Sequence, residues 1–170
     1  MSEKTIPALA FVFPYHEMLM RGLLRVGNHE GVKTRSSNWN YRGLVLLYTS
    51  KGRYHEVPCK AHGLAPNEFP NGVIVGIATI VDSRELTWQE KIHITCNFNR
   101  VDPNTGEEML LGQDGDYITP NSHGVFLQNI TRFKKPVPFK PRPGAIGIMR
   151  VPVKLVAKAL REVNIDPRKL

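Results

Sequence analysis

The densest concentration of chemistry in the chain lies in Gly31-Val32-Lys33-Thr34-Arg35-Ser36-Ser37-Asn38-Trp39-Asn40-Tyr41-Arg42-Gly43, which holds three cations, two aromatic rings and several amides and hydroxyls. An Arg fork matches two phosphate oxygens at once, and the faces of Trp and Tyr stack on unpaired bases. Asn amides can pair with base edges. Lys33, Arg35, Asn38, Trp39 and Arg42 are therefore candidate nucleic-acid contacts. The competing reading is a surface loop whose Trp39 plugs the end of a core, since Trp is usually buried in large part. Lys134, Lys135, Lys140 and Arg142 form a second cationic run, set among prolines that keep it extended. Such a segment can follow a phosphate backbone. It can equally be an edge strand guarded by charge and proline.

A metal site is the next chemistry to weigh. His55, Cys59 and His62 are four and three residues apart, and His93 and Cys96 offer two further nitrogen or sulfur ligands of the kind zinc favours. The alternation of Lys91-Ile92-His93-Ile94-Thr95-Cys96 predicts a half-exposed strand, which would set His93 and Cys96 on opposite faces. No Cys-x-x-Cys pair anchors the set, so no metal is expected. Asp114-Gly115-Asp116 lacks the ligand order of a calcium loop and reads as a turn.

The elements that must position these groups follow from apolar patterning. Ala8 to Phe13 is a short apolar run ending at Pro14, where a helix carrying Met18, Leu19, Leu23 and Val26 can open and run to Gly27-Asn28. Residues 27–40 read as polar and irregular. Leu44 to Tyr48 is a strand buried on both faces, residues 51–71 are loop with one helical turn, and Val73 to Val81 is the strongest strand because β-branched residues dominate it. Residues 99–119 hold two turn signals and read as an acidic hairpin excursion. Val125-Phe126-Leu127, Ile130 to Pro138 and Ile146 to Met149 continue the β pattern, and Pro152 opens a last helix with Leu155, Val156, Ala159, Leu160 and Val163. Strands rich in Gly and Pro turns with few helices predict a small closed or partly closed barrel in an α+β domain.

Composition sets the limits. The chain has 170 residues, 41% of them hydrophobic and 22% charged, which suits one globular domain. No stretch approaches the roughly 18 consecutive apolar residues of a membrane-spanning helix, and no secretion signal is read at the start. With two cysteines no disulfide framework is expected, and the chain reads as intracellular and cytoplasmic. The net charge of +8 is uneven: +5 over residues 1–60 (nine cations, four acids), −6 over 61–131 (three and nine) and +9 over 132–170 (eleven and two). Two basic ends forming one face would attract a phosphate backbone.

Several of these segments, in this order, resemble the ASC-1 homology (ASCH) domain, a member of the PUA-like barrel superfamily. That family opens with a strand ending in Gln-Pro-Trp, a helix running into Gly-x-Lys, a Glu-x-Arg-x-Trp segment and Arg-Gly before a buried strand. The corresponding residues are Phe13-Pro14-Tyr15, Met20 to Val26, Lys33-Thr34-Arg35-Ser36, Trp39 and Tyr41-Arg42-Gly43. Leu44 to Ser50 followed by Lys51 resembles the next strand, Phe69 to Gly76 with Val81-Asp82 the one after it, and Phe126 to Asn129 and Gly147 to Pro152 the last two. The resemblance implies one domain over residues 1–170, with a core of about 8–155, an insert at about 99–119 and a C-terminal helix at about 152–163. The expected fold is a small PUA-like β-barrel of five to seven strands flanked by helices.

The resemblance also implies association with nucleic acid, RNA favoured over DNA, through a pocket between barrel and helices, and adds Lys51 to the candidate contacts. Some members are amidohydrolases acting on N4-acetylcytidine through a Lys at the helix end, a nearby Thr and a Glu. Here Leu24 stands where that Lys is expected and Lys33 where the Glu is expected, so the enzyme reading is weakened. Lys33, Lys51, Glu30 and Asp82 are its alternative catalytic residues. The leading expectation is a non-catalytic module for single-stranded RNA or a modified nucleotide, with no cofactor. A hydrolase or nuclease, and an adaptor offering its basic ends to an acidic protein partner, are the alternatives.

Overall fold

The computed structural model describes residues 2–98, 121–142 and 149–170. Its main elements are β1 (Thr5–Phe13), α1 (Tyr15–Met20), β2 (Gly31–Arg35), β3 (Gly43–Tyr54), α2 (Glu56–His62), β4 (Val73–Glu85), α3 (Trp88–Phe98), β5 (His123–Pro138), β6 (Met149–Pro152) and α4 (Val153–Glu162). The strands form one mixed sheet in the order β2-β5-β4-β3-β1-β6, in which β1 and β3 run parallel and the other neighbours antiparallel. The fold class is α+β. No described helix is long and apolar enough to cross a membrane.

Strand alternation sorts the apolar residues onto two faces. Ile6, Ala8, Leu46, Tyr48, Ile74, Ile77 and Phe133 share one core with Val156, Ala159 and Leu160 of α4. Val156 and Leu160 have no exposed surface, and each such burial contributes roughly 1.5–3 kcal/mol. Leu9, Phe11, Phe13, Val45, Leu47, Val75, Ala78, Ile80, Val125 and Leu127 line the other face, beneath Met18 and Leu19 of α1 and beneath Leu24 and Trp39. Gly31 and Gly76 let α1 lie this close, because a Cβ would overlap Leu19 at Gly31, and Met20 as well as the Thr131 carbonyl of β5 at Gly76.

That second face is concave. Lys33 Nζ of β2 lies 4.7 Å from the ring of Phe11 in β1. In a flat sheet four strand spacings would separate these strands, roughly 19 Å at about 4.8 Å each, beyond the reach of a lysine. The two residues are also offset: Phe11 aligns through Thr49 with Val73, whereas Lys33 aligns through Val125 with Ser83, ten positions farther along β4. Contact therefore needs both curl and stagger, the geometry by which sheets approach closure. The edge strands β2 and β6 do not pair among the described residues, so the sheet is curled and open.

Four expectations need correction. Residues 91–96 are helix, not strand. Thr87 and Glu90 form a reciprocal capping box, with Glu90 N donating to Thr87 Oγ1 at 3.1 Å and Thr87 N donating to Glu90 Oε1 at 2.9 Å. The signature Thr-x-x-Glu was legible, and Ile94 packs on Val32, Leu86 and Phe126 from a helical face. Residues 31–35, read as irregular, form β2, because pairing with β5 and burial of Val32 override a polar composition. The first helix ends at Met20 rather than near Gly27, with Gly22 at φ +73 turning the chain. In the region read as loop, β3 continues to Tyr54 and α2 follows. The hairpin expected at 99–119 and the strand start at 146–148 lie outside the described residues.

Candidate functional site

Strand β2 projects Lys33 and Arg35 from one face into the curl, two residues apart. Lys33 lies over Phe11, and the Arg35 guanidinium lies over the Trp39 ring at 5.5 Å from its centroid. Burial pushes the Lys33 ammonium down to about 8, and the Arg35 charge adds to the shift. Among the described residues no carboxylate pairs with either cation, and each lies over an aromatic ring. Trp39 is only 5% exposed, and its indole N–H is buried without a partner among the described residues. The cluster thus presents an ammonium and a guanidinium beside a buried indole N–H. All three groups are hydrogen-bond donors.

The loop behind this cluster is strapped to β4. Trp39 N donates to Ser83 Oγ at 2.9 Å, and Ser83 Oγ donates to Asn38 Oδ1 at 3.4 Å. Arg42 donates to the carbonyls of Trp39 (2.7 Å), Tyr41 (3.1 Å) and Ser83 (3.3 Å) and lies 3.6 Å from Asp82. Tyr41 OH donates to Leu44 O at 2.8 Å. Arg42 and Asn38, read from the sequence as ligand contacts, thus hold the loop in shape. Trp39 sits in the core, so stacking a base on it requires this strap to open.

The remaining candidates are dispersed. Lys51 is exposed, and so are Lys134, Lys135, Lys140 and Arg142 in and after β5. The alternative catalytic set does not assemble: Glu30 Oε2 accepts from Ile130 N at 3.1 Å, and Asp82 is shared between Arg42 and Arg84. Leu24 is a core residue at 2% exposure, as a neutral side chain in that position should be. Of the zinc-type residues, the His55 ring meets Tyr15 OH at 2.9 Å, His93 Nε2 donates to Arg25 O at 2.9 Å, and burial raises the Cys59 thiol, with Glu56 adding to it. No group of three potential metal ligands occurs among the described residues.

Sequence reading missed a second charged cluster. Glu17 of α1 is buried, and Arg132 of β5 grips its carboxylate with two bonds (2.9 and 3.0 Å) while Arg21 adds a third (3.0 Å). Burial alone would raise the Glu17 carboxyl, but the bonds from Arg132 and Arg21 outweigh it and the net shift is downward. Beside it His16 is 1% exposed, and burial takes its imidazole down to about 4 although Glu17 pulls the other way. The signal available in the sequence was Glu17…Arg21, an i,i+4 pair of opposite charge on a helix. Compared with known protein families and with curated proteins, the chain matches none.

Proposed function

We propose that this chain is a nucleic-acid-binding module of PUA-like, ASCH-type architecture that holds single-stranded RNA or a nucleotide at the mouth of its curled sheet. The observation that carries this reading is the Lys33–Arg35 pair, two cations turned inward over aromatic rings with no acid among the described residues to neutralise them. Cations without partners in a partly desolvated place are costly to fold around, and an anionic ligand offsets that cost. The exposed cations Lys134, Lys135, Lys140 and Arg142 extend the positive potential along the surface, where a backbone can follow it.

Binding of short single-stranded RNA to the whole chain, followed by fluorescence anisotropy across a salt series, tests the reading. Affinity should fall log-linearly with salt, and no binding at about 50 mM salt would remove the proposal. The Lys33 amine, held down to about 8, also keeps the runner-up amidohydrolase in view, since its neutral fraction can take a proton. Acetate released from N4-acetylcytidine and abolished in Lys33→Met would promote that reading. With Glu30 and Asp82 engaged elsewhere, we expect none.

A further inference from the structure

We propose that the Lys33–Arg35 pair receives a phosphomonoester, the terminal phosphate of a nucleotide or a strand, in preference to an internal phosphodiester. The inference rests on the nucleic-acid reading above and specifies its ligand. A phosphomonoester carries about −1.5 to −2 charges at pH 7, against −1 for a diester. Two cations with no carboxylate among the described residues match the larger charge. Neutralising only half of it would leave one partly buried cation uncompensated.

Shape points the same way. Lys33 Nζ lies inside the curl, against Phe11 from four strands away, and the residue is partly buried on the edge strand β2. An internal diester has chain leaving on both sides and would have to thread this space, whereas a terminal phosphate enters from one side. The donor set also fits: a monoester offers three terminal oxygens, while guanidinium and ammonium supply donors only. The contrast within the molecule is informative. Lys134, Lys135, Lys140 and Arg142 are exposed on an extended segment, where diesters can pass without threading.

The test compares one short RNA carrying a 5′-phosphate, a 3′-phosphate or hydroxyls at both ends, bound to the full chain at constant salt. One phosphorylated form should bind about tenfold or more tightly than the hydroxyl form, as expected for new hydrogen bonds between charged groups. Inorganic phosphate should compete with that form and not with the hydroxyl form. Lys33→Met and Arg35→Met should each erase the preference. Equal affinity for all three RNAs overturns the inference while leaving the nucleic-acid reading intact, and absence of binding by any of them removes both. A preference that persists in both folded variants also overturns it, because the terminal phosphate is then held elsewhere. If the variants do not fold, the three RNAs and the phosphate competition on the wild-type chain decide.

Discussion

Glu17 and Lys33 are both charged residues pressed against the concave face of the same sheet, and they are treated in opposite ways. Glu17 is gripped by Arg132 and Arg21 through three bonds, and its carboxyl is held below the usual range. Lys33 has an aromatic ring and a like charge for neighbours, and its ammonium is weakened. A charge that is desolvated and fully paired serves the architecture, here by tying α1 to β5. One that is desolvated and left unpaired works against folding, and under the proposed function a bound anion offsets that cost. Charge burial alone does not separate the two cases; pairing does.

The largest effect should come from the support behind the unpaired cluster. Trp39→Ala removes a core side chain from the second face and should destabilise the fold by about 3–5 kcal/mol, read as a lower denaturation midpoint in urea. Because Arg35 rests over that ring, binding should weaken even in the folded fraction. Unchanged stability with lost binding would mean that Trp39 is a base-stacking platform after all, as the composition of residues 31–43 allowed.

Arg132→Ala tests the paired cluster. It should cost about 2 kcal/mol, below the range for a fully buried pair, because Arg132 is about half exposed and Arg21 still holds the buried Glu17 Oε1. The pH dependence sharpens this. The Glu17 carboxyl is depressed in the folded state, so its contribution is present above the unfolded value of about 4.3 and is lost as pH falls through the lower folded value. His16 adds a slope in a neighbouring window. Unfolded His binds its proton near 6.5 and folded His16 near 4, so between them the unfolded state holds the extra proton and stability falls as the solution is acidified. His16→Gln should flatten the stability curve between about pH 6.5 and 4, whereas Glu17→Gln should flatten it only below about 4.3. A single common window for both variants would break the assignment.

What the sequence disclosed and what it hid divide along the same line of local against long-range information. The runs at Leu44 to Tyr48 and Val73 to Val81 identified their strands because β-branched and apolar residues repeat at short range. The final helix was legible from Pro152 and the spacing of Val156, Ala159 and Leu160. Strand β2 was hidden, since Lys33, Thr34 and Arg35 read as loop until β5 pairs with them. Helix α3 was hidden by an accidental alternation at 91–96, although Thr87 and Glu90 carried its start signal. In the site, nothing in the composition of residues 31–43 separates Lys33 and Arg35, which turn into the curl, from Arg42 and Asn38, which hold the loop. Only the positions of the Trp39, Tyr41 and Ser83 carbonyls reveal that Arg42 is already occupied. The Glu17–Arg132 bond spans 115 residues of sequence, and nothing local announces it.

The smallest effect carries the opposite sign and bears most directly on the comparison. Lys33→Met keeps the aliphatic length over Phe11 and removes the charge. A paired residue would be missed; an unpaired, partly desolvated ammonium should not be. The fold should gain roughly 1 kcal/mol at pH 7, a figure kept low because the residue is still partly open to solvent. Proton linkage gives an independent check on the same variant. Lysine in the unfolded chain titrates near 10.4, whereas folded Lys33 titrates at about 8. Below pH 8 both states are charged and the penalty is complete. Between the two values the unfolded chain holds a proton that the folded chain has released, so wild-type stability should climb with pH through that interval. Lys33→Met should lack the climb and meet the wild type at its top. The urea midpoints of the two proteins at pH 7 and pH 9.5 therefore measure one quantity twice. If Lys33→Met is less stable than the wild type at both values, Lys33 has a structural partner and the distinction between the two clusters fails. If it is more stable and at the same time no longer prefers phosphate-ended RNA, the residue is retained for its ligand and at the expense of the fold.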